Sequence, residues 1–115
     1  MSIQPAFFDI EIPSNGQIME ICIGFSWGGD ATKEVARTDS YAFKDSVLTA
    51  FKVALTAEQR LVSEMAEESR PLNGQYRYSG GRTSKKVQAL LDKVVESVTQ
   101  SVRLSRPCDA VLVER

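Results

Sequence analysis

The chain contains no histidine, only two cysteines, and a charge balance close to zero, with 14 Lys+Arg against 15 Asp+Glu in 115 residues. Without histidine there is no Ser-His-Asp or Cys-His nucleophile, no His-ligated zinc, and no side chain that titrates near neutrality when unperturbed. Cys22 and Cys108 match no metal-ligand spacing, and in a reducing compartment they are expected as two unpaired thiols, Cys22 serving as a small apolar side chain. No run approaches the ~18 apolar residues of a membrane span, and residues 1–5 carry no basic region followed by an apolar stretch. The expectation is therefore cytoplasmic residence with no membrane, no metal and no cofactor. A near-neutral total also argues against a long nucleic-acid duplex as partner.

The composition, 43 % hydrophobic and 25 % charged, is that of one ordinary globular domain over residues 1–115. At this length a core can form without disulfides or a structural metal.

Residues 6–12, Ala-Phe-Phe-Asp-Ile-Glu-Ile, alternate in polarity as a half-buried strand does. Asn15-Gly16 follows, the pair that best tolerates the positive φ of a two-residue hairpin turn. If Ser14 opposes Gln17, then Ile12 faces Met19, Ile10 faces Ile21, Phe8 faces Ile23 and Ala6 faces Phe25, so the apolar faces of both strands coincide. The second strand runs to Trp27 and meets the turn cluster Gly28-Gly29-Asp30. A third strand is expected over 31–38, short or at an edge, because Lys33 and Arg37 would share its core face with Val35.

From Tyr41 to Glu68 the period changes to three and four residues, through Val47, Leu48, Phe51, Ala54, Leu55, Leu61, Val62 and Met65. This predicts one long amphipathic helix, capped by Asp39 or Ser40 and ended before Pro71. Thr56-Ala57-Glu58-Gln59 has the form of a capping box, which offers a break near Thr56 as the alternative. A second helix is predicted over 84–104, and Asp109-Ala110-Val111-Leu112-Val113 reads as a buried strand. The expected fold class is α+β: a small antiparallel sheet, in the order β-β-β-α-α-β, with two long helices on one face. A continuous 41–68 helix would overhang the sheet and leave Val47, Phe51, Leu61 and Met65 exposed, so a second copy covering them, a homo-oligomer, is expected.

Charge is segregated within the domain. Residues 1–40 carry six acids and two bases, residues 71–115 eight bases and four acids, and no acid occurs between Glu68 and Asp92. That interval holds Tyr76, Arg77, Tyr78, Gly80, Gly81, Arg82, Thr83, Ser84, Lys85 and Lys86, running into the second helix. Glycines admit backbone N–H groups to a phosphate, a helix start supplies oriented donors, and Arg and Lys add charge-assisted bonds. Two tyrosines on one side of an extended segment can stack on a base. The segment is not a Walker A loop, and a solvated connector gives the same composition. The leading functional expectation is a small non-catalytic protein that captures a phosphate-bearing ligand, a nucleotide or short nucleic acid, with Tyr76, Arg77, Tyr78, Arg82, Thr83, Ser84, Lys85 and Lys86.

The hairpin register sets Glu11 opposite Glu20 with Asp9 two residues along, an unfavourable arrangement of like charges. A basic partner or a cation relieves it, and solvation alone can tolerate it. The alternative expectation is thus a protein-interaction or inhibitor module whose acidic hairpin face, with Asp9, Glu11, Glu20 and Glu34, meets a basic partner protein, Trp27 serving as anchor. No catalytic constellation assembles; Ser84-Lys85 and Thr83-Lys86 adjoin a helix start without an oxyanion group.

Overall fold

The computed structural model describes residues 6–27, 34–73, 75–101 and 108–114, the side chains of 27, 34–40 and 108 excepted. The elements are β1 (Ala6–Ser14), β2 (Gln17–Trp27), α1 (Glu34–Ala57), α2 (Gln59–Glu68), β3 (Ser69–Leu72), β4 (Gln75–Tyr78), α3 (Ser84–Ser101) and β5 (Cys108–Val113). This is an α+β fold with a mixed five-stranded sheet and three helices.

The β1–β2 hairpin has the register its turn dictates. Ser14 opposes Gln17, Ile12 opposes Met19 and Glu11 opposes Glu20, and Asn15 and Gly16 take φ of 50° and 77°. Ile10, Ile12, Met19, Ile21, Ile23 and Phe25 fall on one face and are all buried. Phe8 and Phe25 meet edge to face at 5.8 Å between centroids, a favoured aromatic geometry.

The other edge of β2 is shared. Its first half pairs in parallel with β4, Met19 beside Tyr76 and Glu20 beside Arg77. Its second half pairs antiparallel with β5, from Cys22 opposite Val113 to Trp27 opposite Cys108. β3 pairs with β4 as a second hairpin, Leu72 opposite Gln75, with Asn73 at φ 47°. The free edge of β5 is closed by α3: the Gln88 amide donates to the Ala110 carbonyl at 3.2 Å and accepts from Leu112 N–H at 2.8 Å. A single side chain thereby satisfies backbone groups that a neighbouring strand would otherwise bond.

Phe43, Val47, Phe51 and Leu55 of α1, Val62 and Met65 of α2, and Val87, Leu91, Val94 and Val98 of α3 all join one core against the same sheet face. All three helices are on that face.

Four expectations are corrected. The order is β-β-α-α-β-β-α-β, not β-β-β-α-α-β, with three helices in place of two and a sheet that is mixed and not antiparallel, since β2 and β4 run parallel. The third strand over 31–38 is absent: residues 34–38 belong to α1, and 31–33 lie outside the described residues, as does the turn cluster 28–30. The helix removes the conflict of placing Arg37 on a strand's core face, and it puts Asp39 and Ser40 inside the helix instead of at its cap. The long 41–68 helix is broken at Glu58, whose φ of −95° and ψ of 68° leave the helical region. Glu58 N–H bonds the Leu55 carbonyl at 3.0 Å and the Gln59 side chain bonds the Thr56 carbonyl, so the break closes on backbone carbonyls and the capping-box bond does not form. With the break, Val47, Phe51 and Met65 are wholly buried and Leu61 half-buried, and no overhanging stripe calls for a second copy. Residues 102–104, the expected end of the last helix, lie outside the described residues.

Candidate functional site

Segment 76–86 is divided between two faces of the molecule. Because side chains alternate along β4, Tyr76 and Tyr78 face the helices while Arg77 faces away. Tyr78 is 1 % exposed, so its ring is core and is not available for stacking on a base. Its hydroxyl lies 2.8 Å from Thr83 Oγ1 and 3.2 Å from Ser84 Oγ.

At the start of α3 the Thr83 N–H and hydroxyl are already engaged, and the acceptor is the chain's own Glu68. Its carboxylate accepts from Thr83 N–H at 3.3 and 3.4 Å, from Thr83 Oγ1, and from the Tyr78 hydroxyl at 3.4 Å. Ser79 Oγ donates to the Glu68 carbonyl at 2.9 Å, and Gly81 N–H donates to Ser84 Oγ at 2.9 Å. Gly81, at φ +148°, gives the carboxylate its room: a Cβ there would sit 2.7 Å from Glu68 Cδ. At Gly80, φ +88°, a Cβ would lie 2.6 Å from Glu114 Cδ. The loop that reads as a cradle for an external anion is thus packed by two carboxylates from the same chain. A carboxylate at a helix N-terminus is stabilised by the same oriented donors and dipole that would hold a phosphate. Arg82 and Lys86 remain exposed, beside a cavity of about 320 Å³ that they line with Glu64, Glu67, Glu68 and Thr83. Lys86 Nζ is 3.7 Å from Glu64. Lys85 is exposed at the first turn of α3, and Ser84 and Tyr76 are half-buried.

Arg77 and the acidic hairpin residues meet on the opposite sheet face. Arg77 pairs with Glu20 through Nη2, and its Nη1 is 3.9 Å from Asp9 Oδ1. This cation relieves the Glu11–Glu20 juxtaposition, a role that sequence spacing had not assigned to it. Nε and Nη1 of Arg77 are buried without a hydrogen-bond partner. Arg70 sits directly across from Arg77 on β3. Of the other residues expected on the acidic face, Glu34 lies in α1, not on the sheet, and the side chains of Glu34 and Trp27 lie outside the described residues. Among the described residues no group of three or more His, Cys, Asp or Glu is placed to hold a metal ion.

Among the described residues no helix packs on the outer sheet face, where Cys22 is buried, the Arg77–Glu20 pair is largely buried and the flanking residues are open. Six large hydrophobic residues among those described are exposed, and four of them, Phe7, Ile18, Leu72 and Val111, lie on this face. Isolated exposed apolar residues need no explanation; several on one sheet face mark a contact surface.

Comparison with protein-family models, with curated proteins and with solved structures finds no match to this chain. No helix among the described residues is long and apolar enough to cross a membrane.

Proposed function

We propose that the chain is a non-catalytic protein-interaction module that docks a partner protein on the outer face of its sheet. The observation that supports this reading is the one-sided architecture: three helices share a single core face, and the other face presents exposed apolar side chains towards both ends of its strands, with acidic Asp9 and Glu11 on β1 and basic Arg70 on β3. Exposed apolar area flanked by charge is the composition of a docking surface, the first part supplying affinity and the second orientation. Phosphate capture at the start of α3 is the weaker reading, since Glu68 already takes the Thr83 N–H and hydroxyl.

Affinity capture with the full chain on a solid support tests the assignment. Proteins retained by the wild type are expected to be lost with Glu11→Lys or Val111→Asp and kept with Lys85→Glu. The opposite pattern, loss with Lys85→Glu alone, transfers the contact surface to the basic helix start.

A further inference from the structure

The outer face carries an ordering of charge that selects its partner. Glu11 opposes Glu20 on β1 and β2, Glu20 lies beside Arg77 on β4, and Arg77 opposes Arg70 on β3. Alternation of side chains puts all four on the outer face, in one row across the sheet, with signs minus, minus, plus, plus. Neighbouring members are ~4.8 Å apart across the strands. The two inner members neutralise each other through the Arg77–Glu20 pair. No ion pair among the described residues joins either outer member, Glu11 or Arg70, which are both exposed.

Such a row is complementary to itself under one symmetry operation. A twofold axis parallel to the strands, between β2 and β4 and midway between two stacked faces, reverses the order across the sheet while keeping each row at its own height. Glu11 then lies over Arg70 of the second copy, and Glu20 over Arg77, each contact occurring twice. An axis running across the strands instead would set like charge over like, Glu11 on Glu11 and Arg70 on Arg70, or, at another height, the charged row against a different row. The same operation brings apolar groups together in two further rows. Phe7, Gly24 and Val111 form one row across β1, β2 and β5, in which the Phe7 ring lies over Gly24, where a Cβ would come within 3.2 Å of it. Val111 of the second copy is carried onto that ring. At the opposite end, Pro13 and Ile18 of one copy lie towards Leu72 and Gln75 of the other.

We propose that the occupant of the outer face is a second copy of this chain, stacked back to back about this axis with Glu11 and Arg70 as reciprocal ion pairs. The proposal rests on the reading of the outer face as a docking surface and names its partner. Sheets stacked face to face at ~10 Å with their strands roughly aligned are a standard packing, and side chains of Glu and Arg length bridge that gap. Isologous twofold contacts are the commonest form of homo-oligomer. Two rows that overlap across four strands and two that overlap across two cover roughly 400 Å² in projection, and the corrugated accessible area is larger, near the lower end of stable interfaces. The expected dimer therefore dissociates in the micromolar range, and more readily at high salt.

Sedimentation equilibrium from about 1 µM to 1 mM tests this on the full chain, with circular dichroism establishing that each variant is folded. The wild type is expected to dimerise. Glu11→Lys and Arg70→Glu, each alone, put like charges opposite one another at both ends of the row and are expected to raise the Kd at least tenfold. An equimolar mixture of the two single variants, or the double variant Glu11→Lys/Arg70→Glu, restores opposite signs at every contact and is expected to return the Kd to within about threefold of wild type. A wild type that stays monomeric throughout, a dimer indifferent to the single variants, or a loss that neither the mixture nor the double variant repairs overturns the proposal. A monomeric wild type whose captured proteins are still lost with Glu11→Lys removes the second copy as occupant but keeps the docking surface. Indifference of both assays to Glu11→Lys removes both.

Discussion

Truncating Phe51 to Ala is expected to destabilise the fold by about 3–5 kcal/mol, a large part of the ~5–15 kcal/mol that holds a domain of this size. Phe51 lies in the C-terminal half of α1, wholly buried, on the same stripe as Val47 and Leu55 and against the core face of the sheet. Removing the ring forfeits its burial and leaves a cavity that three helices and a sheet cannot all close upon. Urea unfolding followed by circular dichroism reads the loss as a lowered midpoint. The companion variant Phe51→Glu separates two roles for the position. An interface residue on an overhanging helix yields a folded monomer when charged, whereas a core residue yields an unfolded chain. The buried position in the structure calls for the second outcome.

Glu68→Ala is expected to cost about 2–3 kcal/mol, because it strips the acceptor from Thr83 N–H, Thr83 Oγ1 and the buried Tyr78 hydroxyl at once. Glu68→Gln keeps an acceptor oxygen without the charge and should lose less. The Ala variant also exposes the helix start that the carboxylate covers. At matched ionic strength, phosphate is expected to raise the melting temperature of Glu68→Ala more than that of the wild type, since a ligand bound only to the folded state stabilises it by mass action. An equal phosphate response in both proteins would show that Glu68 does not occupy an anion position.

The parts of the fold legible in the sequence are those specified by contacts near in sequence. The β1–β2 hairpin is marked twice, by alternation over 6–12 and by Asn15-Gly16, and the two marks agree on one register. The stripe from Val87 to Val98 repeats over enough turns to identify α3. The β3–β4 hairpin carries the same turn signal, Asn73-Gly74, but its strands are four residues each and one contains Pro71, so no alternation accumulates around it. The break at Glu58 was visible only as an alternative, because the apolar stripe continues on both sides of it. Glu34 to Ser40 carries too little periodicity to distinguish helix from edge strand.

The candidate site was harder to read for a related reason. Alternation along Gln75–Tyr78 sends Arg77 and Tyr78 to opposite faces, which dismantles a site assembled from consecutive residues. The group that fills the start of α3, Glu68, is 15 residues upstream of Thr83. The cation that compensates the hairpin acids, Arg77, arrives through parallel pairing 57 residues beyond Glu20. Neither partner has a local signature. An acid-free interval can flag positive potential only while the fold brings no distant acid into it, and here Glu68 and Glu114 both approach the glycine loop.

The most direct measurement of the central claim, that the outer sheet face, and not the start of α3, is the contact surface and takes a second copy of the chain, is a set of amide and methyl NMR spectra of the full chain. They are recorded from about 10 to 500 µM and then with added phosphate and nucleotide. The expected shifts and broadening grow with concentration at Phe7, Glu11, Ile18, Arg70, Leu72 and Val111, while residues 79–86 respond to phosphate and nucleotide no more than the rest of the chain. Spectra in which the sheet face is indifferent to concentration and residues 79–86 move on adding nucleotide would contradict the account.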